Sequence, residues 1–374
     1  MPIILVVSVY CSVPGEIILP ENARYSAYPN GFVRLNTGAE AGIDTATLGE
    51  QTLRAELFGA VPIKSVQVSV VPERYVTVSG ETIGVRLYSD GIMVIDVEKS
   101  GAARAAGIKK GDLITQVNGE AATTVEELSA CISNNETNTL TVLRDGHERT
   151  VELHGIKEKN KYTAGMWIRD SAAGIGTMSF QDPETNSFGA LGHAICDSDT
   201  GEIVPISRGS VSDCRISAVK AGESGEPGEL VGSIGSEITG SIVYNSELGL
   251  YGVMNDSIEG ITAPVATRFL VKEGEAELWC DVDGAGVKQY NITIEQVSKS
   301  RAEGNKSMVI RVTDPALLEQ TGGIVQGMSG APIIQNGRLA GAVTHVFIND
   351  PERGYAVFAE SMLGMSDKVT VIDK

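Results

Sequence analysis

The chain has 374 residues, enough for two or three domains with a sizeable core. Apolar residues make up 42% and charged residues 21%, a globular balance rather than a disordered one. Lys and Arg total 30 against 48 Asp and Glu, and this net charge of −18 argues against the basic surface that nucleic-acid binding needs. The first element is an apolar run over residues 3–11. It is too short to span a bilayer and has no basic flank, so residues 1–13 read as a truncated signal or anchor remnant, with a buried strand as the other reading. Residues 14–75 hold short apolar stretches broken by Pro14, Pro20, Pro29, Pro62 and Pro72. Residues 63–71 alternate well and predict a strand, so this region is expected to be a small β-rich N-terminal domain.

Residues 76–156 carry a denser set of signals. Apolar strands are expected over 83–87 and 91–97, then a short helix over 102–106 that Gly107 stops. A strand over 111–119 ends in the turn pair Asn118-Gly119. Thr123 or Thr124 caps a second helix, with Glu126 or Glu127 three residues later, and Val125, Leu128 and Ile132 share one face of it. Residues 140–143 and 150–153 pair across Asp145-Gly146. This order resembles a PDZ domain of the bacterial protease-associated kind. The resemblance implies a peptide terminus received at Ile83, Gly84, Val85, Arg86 and Leu87, added as a strand against the helix face of Val125 and Leu128. Its ligand would be the substrate's terminus or the chain's own N-terminal region. A spacer that binds nothing is the alternative. Residues 155–161 are charged and read as a linker.

Residues 162–374 alternate short β-like runs with glycine-rich turns, the pattern of a barrel or sandwich. Helical periodicity is confined to residues near 314–320 and 359–365. Residues 221–241 contain six glycines and are expected to form a mobile loop.

Within this region Gly327-Met328-Ser329-Gly330 has the layout of a serine nucleophile. Flanking glycines let a carbonyl approach, and Gly327 can aim its own N–H and that of Ser329 at one point, an oxyanion hole. A tight turn uses the same letters. Of four histidines, His147 and His154 fall in the PDZ-like hairpin. His193, between Gly192 and Ala194, has room to act as the base a serine hydroxyl needs at neutral pH. His345, sixteen residues after Ser329, is the rival base, and its large apolar neighbours favour a packing role for it. Asp314 is the preferred carboxylate to orient the base. Its position before Pro315 equally suits a helix N-cap. Spacing leaves Asp197, Asp199, Asp256, Asp281 and Asp283 open. The five cysteines are scattered with no C-x-x-C, so neither a disulfide framework nor a metal site is expected, and no cofactor.

Taken together, the run from Arg169 through Gly174-Ile175-Gly176-Thr177 to Met178, the segment Gly189-Ala190-Leu191-Gly192-His193, residues 321–335 and residues 340–347 resemble the SpoIVB peptidases, serine endopeptidases of the chymotrypsin-like clan. The resemblance implies a PDZ domain at 76–156 followed by a double β-barrel peptidase domain at 162–374. It implies Ser329 as nucleophile, His193 as base and Asp314 as third residue. It further implies export across the forespore membrane, membrane association through an N-terminal segment, and self-cleavage. The implied substrate is a membrane-bound regulator of an intramembrane metalloprotease, whose cleavage activates a late mother-cell sigma factor. The alternative is a non-catalytic PDZ adaptor with a partner-binding barrel.

Overall fold

The protein is described here from a computed structural model covering residue 10 and residues 13–26, 33–36, 43–299 and 301–372. The apolar run over 3–11 therefore lies, apart from Tyr10, outside the described residues. No helix among the described residues is long and apolar enough to cross a membrane.

The N-terminal region is a four-stranded sheet in the order Glu16–Pro20, Val61–Val71, Gly49–Leu57, Val33–Asn36, with the first pair parallel. The alternation read over 63–71 has the expected result: Val66 and Val68 turn inward to meet Ile17, Leu19, Val33 and Leu35, and the intervening side chains face outward.

The PDZ-like helix cap and hairpin signals form as expected. Helix Val125–Asn134 is capped by Thr124, whose hydroxyl accepts the Glu127 N–H at 3.2 Å. The hairpin Thr137–Arg144/His147–His154 turns on Asp145 and Gly146 with φ of 52° and 73°, the left-handed pair a two-residue hairpin requires. Ile92, Val94, Leu128, Ile132, Leu140 and Val142 make the unit's own core.

The remainder folds as two six-stranded rings. The first runs Thr82–Val97, Ile206–Lys220, Glu229–Ser246, Gly249–Met254, Ser187–Ala190 and Met166–Gln181, and closes because the last strand pairs with the first. The second is a closed barrel of Gly274–Cys280, Lys288–Val297, Met308–Val312, Asp350–Phe358, Arg338–Phe347 and Pro332–Gln335. Helix Ala359–Ile372, longer than its expected span of 359–365, helps weld the two. Met362, Leu363 and Val369 pack in one cluster with Phe180 and Tyr251 of the first ring and Leu339, Ala342 and Val357 of the second.

Two expectations need correction. Residues 229–246 are not a mobile loop but a long barrel strand. Its glycines sit where neighbouring backbones press in: a Cβ at Gly232 would lie 2.6 Å from the Arg215 carbonyl oxygen. The second correction concerns the boundary between the PDZ unit and the peptidase domain. Strand Thr82–Val97 belongs to both. Its first half is a stave of the first barrel, with Ile83, Val85 and Leu87 in the barrel core, and its second half enters the PDZ core through Ile92 and Val94. The PDZ unit is thus inserted between two adjacent staves of one barrel.

Candidate active site

The cleft between the barrels holds a cavity of about 460 Å³. Ser329, Gly327 and His193 all line it, so two glycine-padded segments far apart in sequence meet there. His345 lines it as well.

His193 is delivered by a tight turn. Leu191 and Gly192 follow strand Ser187–Ala190 with φ of 65° and 69°, two consecutive left-handed residues, the first a non-glycine held there against its preference. The His193 Nδ1 lies 2.7 Å from the Ala194 carbonyl oxygen. A proton on Nδ1 donated to that carbonyl leaves the Nε2 lone pair as the base. Burial is the leading influence on this imidazole and pushes its pKa below the ordinary histidine value, only partly offset by the Ala194 bond; the lowered pKa favours the neutral form. The His345 ring lies 4.8 Å from it, centroid to centroid, at a tilt of 35°. His345 is exposed rather than packed as expected, yet its pKa too is pushed down, first by desolvation and then by His193 and Lys306.

Ser329 stands on a loop clasped by strand Met166–Gln181. The Thr177 N–H donates to the Ser329 carbonyl at 2.9 Å, the Thr177 hydroxyl to the Gly327 carbonyl at 2.8 Å, and the Ser179 hydroxyl to the Gly330 carbonyl at 2.6 Å. Thr177 also accepts the Leu191 N–H, at 3.3 Å, so this one residue braces both the histidine turn and the serine loop. Gly330 has φ of 95°, and a Cβ there would meet the Thr177 carbonyl oxygen at 2.1 Å and the Leu191 nitrogen at 2.4 Å. Only glycine lets the two segments come this close. Gly327 has φ of 101°. The Met328 N–H is turned back onto the Val325 carbonyl at 3.1 Å, and no hydrogen bond within the described structure engages the amides on either side of it, those of Gly327 and Ser329. An oxyanion hole requires amides left without an internal acceptor.

Three sequence expectations are not met. The Ser329 hydroxyl is bonded to neither imidazole; it donates to the Thr344 carbonyl at 3.0 Å. Catalytic hydrogen bonds are often long or unformed without substrate. Asp314 does not line the cavity. It is the N-cap of helix Pro315–Thr321: one carboxylate oxygen accepts the Ala316 N–H at 3.0 Å and the other the Asn291 N–H at 3.1 Å. The helix-capping reading of that Asp-Pro step was the right one. None of the carboxylates that spacing left open lines the cavity either; Asp197 and Asp199 are tied to Arg169 at 2.6 and 3.0 Å. The peptide-binding assignment of Ile83, Gly84, Val85, Arg86 and Leu87 also fails. Both edges of that strand are taken, by residues 172–176 on one side and 209–213 on the other, so no peptide can add there. Leu128 is sealed in the PDZ core with Val125 packed against it, and the Val125 N–H is engaged by the Asp170 carboxylate at 2.9 Å.

Sequence reasoning missed Thr177 and Ser179 as clasps, although both sit in the stretch that carried the family resemblance or directly follow it. It also missed the strap over residues 222–228, which crosses to the second barrel. There the Gly225 N–H donates to the Ile348 carbonyl at 2.8 Å and the Gln326 N–H to the Gly228 carbonyl at 2.8 Å. Among the described residues no group of three His, Cys, Asp or Glu is arranged to hold a metal ion.

Residues 160–363 match the model of the SpoIVB peptidase S55 family, more than half of the chain, and residues 73–154 match that of the PDZ domain. No curated protein matches. Similar solved structures include the Rv3671c protease from M. tuberculosis. Its inactive form is 15% identical over 52% of this chain and 84% of that one, with a TM-score of 0.31. Its active form is 17% identical over 53% and 74%, with a TM-score of 0.32. The PDZ domain of the SdrC-like protein from Listeria monocytogenes is 21% identical over 21% of this chain and 87% of that one, with a TM-score of 0.20. The adaptor alternative gives way to an enzyme, a serine endopeptidase carrying a PDZ unit: the chain belongs to the SpoIVB peptidase S55 family.

Proposed function

We propose that Ser329 is the nucleophile and His193 the general base of this peptidase. His193 Nε2 takes the Ser329 proton as the hydroxyl attacks a peptide carbonyl. The carbonyl oxygen, now negative, is held by the Gly327 and Ser329 amides. His193 returns the proton to the leaving amine, and water, deprotonated by the same imidazole, releases the acyl-enzyme. The Ala194 carbonyl supplies the orienting bond that a carboxylate makes in a triad. The observation that carries this reading is the convergence of both segments on one cavity beside two unengaged amides.

The setting we propose rests on the family: export into the space between the two forespore membranes, association with a membrane through the N-terminal segment, and self-cleavage. The substrate would be a membrane-bound regulator of an intramembrane metalloprotease, whose cleavage activates a late mother-cell sigma factor. Co-expression of the full chain with such a regulator tests it. Cleavage by the wild type and none by Ser329→Ala supports the reading; an intact regulator beside an active enzyme refutes that choice of substrate.

A further inference from the structure

The cavity around Ser329 carries no charge except what the two histidines can take up. Among the described residues no Asp, Glu, Lys or Arg lines it, in a chain with a net charge of −18. Its accessible walls are Ile175 and Ile195 on the first barrel and Val346 and Ile348 on the second, with Pro227 of the strap between them. Ile348 is 59% exposed, so the apolar wall is open to an incoming side chain. The wall is also stiff. The strap is fixed to residues 348 and 349 by the Gly225 N–H bond and by the Ser224 hydroxyl on the Asn349 carbonyl at 3.0 Å, so Pro227 and Ile348 are held together across the mouth.

We propose that this wall is a specificity site: the peptidase cleaves polypeptides beside an aliphatic side chain, which Val346, Ile348 and Pro227 receive, and rejects charged residues there. The inference rests on Ser329 as nucleophile. A carbonyl placed between the Gly327 and Ser329 amides brings the flanking side chains of the substrate into this cavity. A Leu, Ile, Val or Met side chain exchanges water for apolar contact there, whereas a Lys, Arg, Asp or Glu side chain loses hydration with no partner to replace it. One methylene in such a pocket discriminates by about 10–200-fold, and an unpaired charge by more.

The test uses the full chain and a peptide series that varies the residue on each side of one scissile bond. Each variant is first checked for Ser329 labelling with a fluorophosphonate. We expect kcat/KM for a Leu peptide to exceed that for the matching Lys or Asp peptide by about 100-fold or more at one of the two positions. Ile348→Asp, at an exposed site, should still label, lose at least about tenfold on the Leu peptide and gain on the Lys peptide. If the labelled enzyme cleaves charged and aliphatic peptides alike, or if Ile348→Asp leaves the preference unchanged, the specificity assignment is wrong while the nucleophile stands. If the folded wild type does not label at Ser329, the nucleophile assignment falls and this one with it.

Discussion

Removing the Thr177 hydroxyl tests how the proposed oxyanion hole is held. The peptide unit joining Gly327 to Met328 lies between the two proposed oxyanion donors. It is fixed at both ends: the Thr177 hydroxyl grips its oxygen at 2.8 Å and the Val325 carbonyl its N–H at 3.1 Å. Thr177→Val keeps the shape and the β-branch but leaves the buried Gly327 carbonyl without that donor. Leaving a buried acceptor unsatisfied costs about 1–3 kcal/mol. At about 2–4 °C per kcal/mol for a domain of this size, the melting temperature should fall by several degrees. The kinetic effect should be larger in proportion. Complete loss of one oxyanion donor lowers kcat by about 10²–10³-fold, and a freed peptide that only samples the right orientation should lose about 10–100-fold. Thr177→Ser should recover most of the rate. The assay is kcat/KM on a peptide substrate beside a thermal melt. A Thr177→Val enzyme that is destabilised yet hydrolyses at the wild-type rate would refute the claim that this bond positions the donors.

Other outcomes follow from the same geometry. Asp314→Ala should cost about 1 kcal/mol through loss of the helix cap, while Asp314→Asn, a good cap without charge, should keep both stability and kcat; an inactive but stable Asn variant would restore Asp314 to the catalytic machinery. Burial holds the His193 pKa below 6.5, and only the neutral imidazole accepts a proton. Half of the base is therefore lost only at that lowered value, and the midpoint of the acid limb of kcat/KM against pH should fall below 6.5; a midpoint above 7 contradicts a buried base. Gly330→Ala drives a methyl into the Thr177 carbonyl and should abolish activity, read by hydrolysis, with a lowered melting temperature.

Much of this architecture was legible because local chemistry decided it. Asn118-Gly119 and Asp145-Gly146 demand left-handed backbone, and both make their turns. Thr124 caps its helix by accepting the Glu127 N–H, and the Glu127 carboxylate accepts the Thr123 hydroxyl. Ser329 and His193 stood out because small neighbours leave a functional side chain room. What failed was information that only tertiary pairing holds. Ile83, Val85 and Leu87 alternate identically whether the strand edges a peptide groove or forms a barrel stave, and nothing in their period says which neighbours will arrive. The glycines of residues 229–246 read as loop because composition does not reveal backbones crossing close by. Asp314 carried two compatible roles, and only its bonds to Ala316 and Asn291 separate them.

The most direct measurement is covalent labelling of the native full-length enzyme with a fluorophosphonate, followed by mass spectrometry of the modified peptide. The adduct should sit on Ser329 and be lost in both Ser329→Ala and His193→Ala, while His345→Ala still labels. An adduct on another serine, or labelling that survives His193→Ala but disappears with His345→Ala, would contradict the assignment of nucleophile and base.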